Sequence, residues 1–145
     1  MNQPQRAVLC ATLALRDGDV ANFIDWHTRE HLVERLGISG FLRGRRFVQT
    51  DASTRYLIMY DVESLAALSQ QEYVDRLNNP SPWTRAILPT FRDGKRSAYR
   101  LISEQSLLDF QRDELTCDRR KRLGILNIDE SGSCYRLQVR VGRNV

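Results

Sequence analysis

Apolar positions in the first part of the chain alternate between runs typical of strands and the three-to-four-residue spacing of helices. Residues 7–15 (AVLCATLAL) form a mostly apolar run that predicts a buried strand. A helical pattern follows and continues to about Leu36, where Gly37 ends it. Asp17 or Asp19 is expected to cap this helix, because an acidic side chain accepts hydrogen bonds from the free N–H groups of a first turn.

The residues up to position 102 continue with two strands, helical segments and a last strand. A serine followed by proline at the first helical position is a strong helix-start signal, and Pro89 ends that helix. The predicted segments are strands at 45–50, 55–62 and 97–102, and helices at 64–68, 71–77 and from Ser81-Pro82 onward. The order βαββαβ predicts a ferredoxin-like α+β fold with a four-stranded antiparallel sheet and the helices on one face.

The strand at 55–62 (RYLIMYDV) is apolar on both of its faces. Side chains alternate between the faces of a strand, so Tyr56, Ile58 and Tyr60 lie on one side and Leu57 and Met59 on the other. One face packs on the helices, and the other needs a separate cover. A second copy of the chain is the simplest cover, which predicts a homodimer in which two sheets form a dimeric α/β barrel.

The remaining residues are predicted to form an extension of the first module. A helix is expected from Ser103 through Lys121, followed by a hairpin with strands at 123–128 and 134–141. The chain is therefore divided into a ferredoxin-like module at 1–102 and a C-terminal extension at 103–145.

Length and composition restrict the class of protein. A chain of 145 residues with 41% hydrophobic positions buries enough surface to fold as one domain without a disulfide or metal. No apolar run is long enough to span a membrane and the first residues lack the pattern of a signal peptide, so the protein is expected to be cytoplasmic. Its 3 cysteines are odd in number and lack C-x-x-C spacing, which favours reduced thiols.

The chain carries a basic surplus of 22 Lys and Arg over 18 Asp and Glu, and this surplus is almost entirely arginine. Arginine pairs with carboxylate or phosphate, so an anionic small molecule or a nucleic acid is conceivable. The charges of both signs are dispersed, and the strands lack the glycine and aromatic pattern that stacks bases. Nucleic acid is therefore not an expected partner.

The first predicted helix carries the most suggestive polar residues, His27, Glu30, His31 and Glu34. Their spacing places them on one helical face, in line with apolar positions that face the core. Imidazole can give or take a proton near neutral pH, and a nearby carboxylate can fix its tautomer. This face is therefore a candidate proton-transfer site.

Two other interpretations apply to the same residues. The segment 27–31 (HTREH) matches H-x-x-E-H, in which two histidines hold zinc and the glutamate activates water. A zinc site needs a third protein ligand, which the sequence does not indicate, so no metal is expected. No cofactor is expected either. In a purely structural interpretation, His27 is a half-buried packing residue, and Glu30 and Glu34 pair with arginines.

Several segments together resemble the EthD-like branch of the dimeric α/β-barrel superfamily. They are residues 23–35 (FIDWHTREHLVER), Gly40-Phe41 followed by Arg45-Arg46, Arg55-Tyr56-Leu57 with Tyr60, and 79–84 (NPSPWT). The resemblance covers about residues 7–102. It implies a homodimer with a small-molecule pocket between each sheet and its helices. It also implies that His31 faces this pocket. At position 27 similar sequences more often have an aromatic residue, so His27 departs from the family pattern.

The superfamily includes cofactor-independent monooxygenases, cyclases and isomerases as well as proteins that only bind a ligand, so the fold does not determine the reaction. We expect His31 to be the acid/base on a hydrophobic or aromatic substrate, with His27 and Tyr60 as further catalytic candidates. The substrate-binding candidates are Glu30, Tyr56, Trp26 and Trp83. Tyr56, like Tyr60, could donate a hydrogen bond to an oxyanion. The two tryptophans could form an aromatic wall of the pocket. The alternative is a non-catalytic homodimer that binds a ligand or acts as a scaffold.

Overall fold

The computed structural model describes residues 5–102, 125–128 and 134–142, which form one antiparallel sheet with a layer of helices. The strands are β1 (Ala7–Ala14), β2 (Phe41–Gln49), β3 (Ala52–Val62), β4 (Arg92–Arg100), β5 (Ile125–Ile128) and β6 (Cys134–Gly142). The helices are α1 (Val20–Trp26), α2 (Leu32–Gly37), α3 (Gln71–Asn78) and α4 (Pro82–Ile87). Short 3-10 turns lie at Asp17–Asp19, Leu65–Leu68 and Leu88–Thr90, and a π-helical turn, His27–His31, joins α1 to α2.

The sheet order is β4-β1-β3-β2-β6-β5, and its first four strands are the predicted ferredoxin-like unit. This confirms the α+β fold class and the antiparallel four-stranded sheet. The predicted C-terminal hairpin forms as well, and β6 pairs with β2, so the sheet is wider than the ferredoxin-like unit alone. The helix predicted at 103–121 lies outside the described residues, and the division of the chain at residue 102 stays a prediction.

Three strands begin earlier than the sequence pattern predicts, and one of them is β3, which begins at Ala52 where 55–62 was predicted. Strand β2 begins at Phe41, and β4 occupies Arg92–Arg100 where 97–102 was predicted. The first half of β4 is polar, and every residue of the strand is exposed, so its hydropathy carries no strand signal. Its backbone pairing with β1, from Ala14 opposite Arg92 onward, makes it a strand.

The two predicted helix caps have different outcomes. Ser81 caps α4 as expected, because its hydroxyl accepts a hydrogen bond from the Thr84 N–H at 3.0 Å. The prediction that Asp17 or Asp19 caps the first helix is wrong, since neither side chain makes a capping bond. The 3-10 turn holds Asp19 in a helical conformation (φ −94°, ψ −13°), whereas a capping side chain needs an extended backbone.

Both faces of β3 are apolar, as the alternation predicts. Tyr56, Ile58 and Tyr60 belong to the main core beneath the helices. On the opposite face Leu57 packs with Phe47, and two half-buried residues, Cys10 and Met59, join this second cluster. None of the helices in the described part of the chain is long and apolar enough to cross a membrane.

Candidate functional site

A π-helical turn positions the two histidines of the chain. Leu32 donates its N–H to the carbonyl of His27, five residues earlier, where an α-helix would bond four residues back. The wide turn brings the rings of His27 and His31 to a centroid distance of 5.9 Å. Turns of this kind occur often at functional sites, because they re-aim side chains within an otherwise regular helix.

His27 is fully buried and engages both of its ring nitrogens. Arg46 Nη1 lies 3.0 Å from Nδ1, and the Tyr60 hydroxyl oxygen lies 3.1 Å from Nε2. A guanidinium group only donates, so Nδ1 accepts and Nε2 carries the proton. His27 therefore donates to the oxygen of Tyr60, and the hydroxyl proton of Tyr60 is left for another acceptor.

Arg46 holds this part of the π turn against the sheet. Its Nη1 donates to Thr28 Oγ1 at 3.0 Å and contacts the Ile24 carbonyl at 3.5 Å. Sequence reasoning missed Arg46, because its position depends on the β2–β3 register. In that register it lies opposite Ile58, on the face of the sheet that carries Tyr60.

His31 is held by its aromatic neighbour. Its ring stacks on Trp26 with a centroid distance of 4.4 Å and an interplanar angle of 27°. Among the described residues no group bonds its Nδ1, although this atom is buried. Buried polar atoms are nearly always hydrogen-bonded, so an unpartnered ring nitrogen beside a cavity indicates a place for a ligand atom.

A cavity of about 330 Å³ lies between the sheet and the helices, and His31 and Tyr60 line it. Its volume is in the range of small-molecule sites. Most of the wall is apolar and comes from β1, β3 and the helical layer, including Leu9, Leu13, Ile58, Trp26, Leu88 and Phe91. The cavity can therefore hold a hydrophobic molecule with its polar part toward His31 and Tyr60.

Arginine side chains and a buried tyrosine line another part of the cavity. The guanidinium carbons of Arg35 and Arg96 lie 5.5 Å and 5.6 Å from the ring centroid of Tyr73. Neither Arg35 nor Tyr73 was singled out by the sequence, because α2, α3 and β4 are separate in the chain and meet only in the fold.

Burial sets the protonation of the site. It lowers the pKa of His27 to about 3, with a further contribution from the charge of Arg46. Burial also lowers the pKa of His31 well below its usual range, helped by Arg35, His27 and Arg96. Burial raises the pKa of Tyr60. At neutral pH both histidines are therefore neutral and Tyr60 keeps its proton.

The depressed pKa of His27 predicts that acid destabilises the fold. An unfolded chain takes up this proton near pH 6.5, whereas the folded chain resists it down to about pH 3, so stability is lost as pH falls through that window. Between pH 7.5 and pH 5 the free energy of unfolding should fall by about 2 kcal/mol through this residue. Urea unfolding at the two pH values measures the difference.

The matched control for this effect is His27→Asn, which keeps a donor and an acceptor but does not titrate. Over the same pH interval, the free energy of unfolding of the variant should fall by about 2 kcal/mol less than that of the natural chain. An equal pH dependence in both chains would contradict the assignment of this effect to His27.

The structure brings some of the predicted site residues to the cavity and leaves others elsewhere. The cavity is lined by His31, Tyr60, Trp26 and Glu34. His27 lies behind this wall and bonds to Tyr60. Tyr56 is not among the lining residues; its ring packs in the core.

Trp83 and Glu30 also lie away from the cavity wall. The indole of Trp83 donates to Asn22 Oδ1 at 3.0 Å. Glu30 accepts from the hydroxyl of Ser81 and lies 3.4 Å from that of Thr84, so it contacts α4 rather than an arginine. The Trp26 indole also donates to Thr84, at 3.0 Å, so this network fixes the cavity-lining Trp26.

The H-x-x-E-H alternative requires His27 as a zinc ligand. Both nitrogens of that ring already face Arg46 and Tyr60, and Nδ1 and Nε2 are the only atoms through which imidazole binds a metal. In the described part of the chain, no three His, Cys, Asp or Glu side chains form a group that could hold a metal ion.

Cys10 lies on the face of the sheet opposite the main core. It packs with the Phe47 and Leu57 cluster as a free thiol. Burial raises its pKa to about 11, so the thiol is protonated and is a weak nucleophile.

Comparisons with known proteins find similarity in three-dimensional structure alone. No protein-family model matches the chain, and no curated protein matches its sequence. A dimeric ferredoxin-like protein from an uncultured marine organism superposes with a TM-score of 0.57 and 13% identity, covering 72% of this chain and 94% of that one. A second such protein from an uncultured marine organism has a TM-score of 0.56 and 17% identity, covering 70% and 99%.

An enzyme is among the similar structures. SnoaB of Streptomyces nogalater, a cofactor-independent oxygenase, superposes with a TM-score of 0.52 and 15% identity over 71% of this chain and 97% of that one. At such identities the similarity establishes the fold and does not carry over a reaction. The chain has the ferredoxin-like fold of proteins described as dimeric ferredoxin-like and of this oxygenase.

Proposed function

We propose that this chain is a subunit of a homodimeric α/β barrel of the EthD-like branch that acts as a cofactor-independent enzyme of isomerase, cyclase or monooxygenase type. Its substrate is a hydrophobic or aromatic small molecule bound in the cavity. The observation that carries the proposal is the unpartnered Nδ1 of His31 beside Tyr60 in a mostly apolar cavity.

Tyr60 and His31 supply complementary chemistry. Tyr60 is protonated and its oxygen already accepts from His27, so its hydroxyl proton can be donated to a substrate carbonyl or a developing oxyanion. His31 is neutral, so its ring can accept a proton from the substrate and return it. Together they suit a reaction that removes a proton next to a carbonyl group.

His27 and Arg46 are positioning residues in this proposal. Arg46 fixes the tautomer of His27, and His27 orients the Tyr60 hydroxyl. A preorganised donor needs no rearrangement when charge develops, which is the main advantage of a buried site over water.

The homodimer is supported by similar structures, and a second copy would contact the second apolar face of the sheet. Leu57, Met59 and Cys10 lie on this face, away from the helices. Two of the similar structures are described as dimeric ferredoxin-like proteins. Phe47 and Leu57 on this face are already buried within the single chain, so a second copy would cover only its half-buried residues, Cys10 and Met59.

One observation favours the non-catalytic alternative. The depressed pKa of His31 makes it a weak base in the ligand-free chain, and a protein that only binds a ligand needs no proton acceptor. Turnover of an identified ligand distinguishes the two functions, because a binding protein returns that ligand unchanged.

Native mass spectrometry of the purified protein tests the proposal first. We expect the mass of two chains plus an organic molecule that is released on denaturation. The released compound, or a mixture of close analogues, is then incubated with fresh protein and followed by product analysis. A monomer without any bound molecule, or one zinc ion per chain, would contradict the proposal.

A further inference from the structure

The cavity is strongly positive for an apolar pocket. The charged residues on its wall are Arg35, Arg76, Lys95, Arg96 and Glu34, four basic groups against one acidic group. A low-dielectric wall with a surplus of one sign attracts a ligand of the opposite sign.

Two of these cations are concentrated at one point of the wall. Arg35 and Arg96 both contact Tyr73, and each lies within 6 Å of its ring centroid. Among the described residues, neither arginine has a carboxylate within ion-pair distance. Burial, together with the charge of Arg35, lowers the pKa of Arg96, so a bound anion that contacts both groups would reduce their mutual repulsion.

Two residues of this group, Arg35 and Tyr73, also carry unused hydrogen-bond donors. Arg35 is 7% exposed and Tyr73 is 1% exposed. Neither Arg35 Nη1 nor the Tyr73 hydroxyl has a hydrogen-bond partner in the described part of the chain. A buried donor without a partner costs free energy, which an acceptor on a bound ligand would recover.

We propose, as an extension of the proposed function, that the ligand is a carboxylate: an aromatic or hydrophobic acid whose carboxylate binds to Arg35, Arg96 and Tyr73 while its apolar part fills the cavity. A carboxylate offers two oxygens in the plane that a guanidinium fork matches. Glu34 on the same wall repels any anion, and it repels a doubly charged group such as a phosphate monoester more strongly than a carboxylate.

This binding mode would make His31 a stronger base than it is in the ligand-free chain. Burial is the main cause of the low pKa of His31, and the charges of Arg35 and Arg96 add to it. A carboxylate bound to both arginines offsets those charges, so the pKa of His31 rises when the ligand is present. Binding of the carboxylate ligand therefore makes His31 a stronger base toward that same ligand.

Isothermal titration calorimetry with 2-naphthoate and its neutral analogue 2-naphthamide tests the proposal on the natural chain. The two probes have the same rings and differ in charge. We expect 2-naphthoate to bind at least about 10-fold more tightly, the effect of one charge-assisted hydrogen bond. Added salt should weaken the binding of 2-naphthoate and leave the binding of 2-naphthamide unchanged.

Variants locate the anion site. R35Q and R96Q should each weaken naphthoate binding about 10-fold and leave naphthamide binding nearly unchanged. The matched control R92Q changes an exposed arginine of the same strand that does not line the cavity, and it should bind both probes normally. R96Q, at an exposed position, keeps the test valid if R35Q does not fold.

The outcomes separate this inference from the proposed function. Equal binding of both probes, unchanged in R35Q and R96Q, would overturn the carboxylate site and leave a hydrophobic-ligand enzyme standing. Binding of neither probe would overturn both. If phenyl phosphate displaces 2-naphthoate more effectively than benzoate does, the anion is a phosphate and the carboxylate assignment is wrong.

Discussion

Replacement of His31 with alanine is expected to reduce turnover of the identified substrate by about 10²–10⁴-fold, the usual contribution of a general acid or base. The ring is the proposed proton acceptor, and its Nδ1 has no partner among the described residues. Tyr60→Phe, which removes the proposed oxyanion donor, should lower turnover by about 10²–10³-fold. Steady-state kinetics over a range of pH measures both effects.

Two further measurements distinguish chemistry from structure in these variants. Added imidazole should restore part of the turnover of His31→Ala, which a purely structural role would not allow. Arg29→Gln, at an exposed position of the same π turn, is the matched control and should retain full activity. Full turnover in His31→Ala would contradict the assignment of His31 as the acid/base.

Gly44→Ala is expected to destabilise the fold by about 1–3 kcal/mol, the cost of one extra carbon in a packed core. Gly44 lies opposite Tyr60 in the β2–β3 register. A Cβ at this position would overlap Leu32 Cδ2 and lie 3.1 Å from Tyr60 Cε1. Leu32 is buried, so its side chain can change rotamer only by displacing the residues packed around it.

Urea unfolding at pH 7.5 measures this effect. Gly18→Ala is the matched control, because a Cβ there meets nothing within 4 Å, and its stability should change by no more than about 0.5 kcal/mol. If both variants unfold at the same urea concentration, the close approach of Gly44 to Leu32 and Tyr60 is not a constraint on the fold.

The fold could be predicted from sequence because its signals are local. The two-sided apolar pattern of 55–62 predicted both clusters, and Ser81-Pro82 predicted the start of α4. Strand β4 was placed too late because its first residues are polar and become a strand only by pairing with β1. The Asp19 cap failed because a preceding 3-10 turn determined its backbone conformation.

The site could be predicted only in part, because it depends on contacts between distant segments. His31 was identified from helical spacing and the family resemblance, Tyr60 from strand alternation, and Trp26 as part of a possible aromatic wall; all three line the cavity. Periodicity assumes a regular helix, so it could not indicate the π turn. The contact of Arg46 with His27 requires β2 to pack against that turn, which no local pattern encodes.

The pairing of β6 with β2 has a consequence for the behaviour of shortened chains. Without the C-terminal hairpin, the outer edge of β2 would expose a row of free N–H and C=O groups. Such an edge is a template for strands of other molecules and promotes aggregation. The C-terminal segment thus protects the sheet from self-association along its edge, and deletion variants that end near residue 102 would be the ones to precipitate.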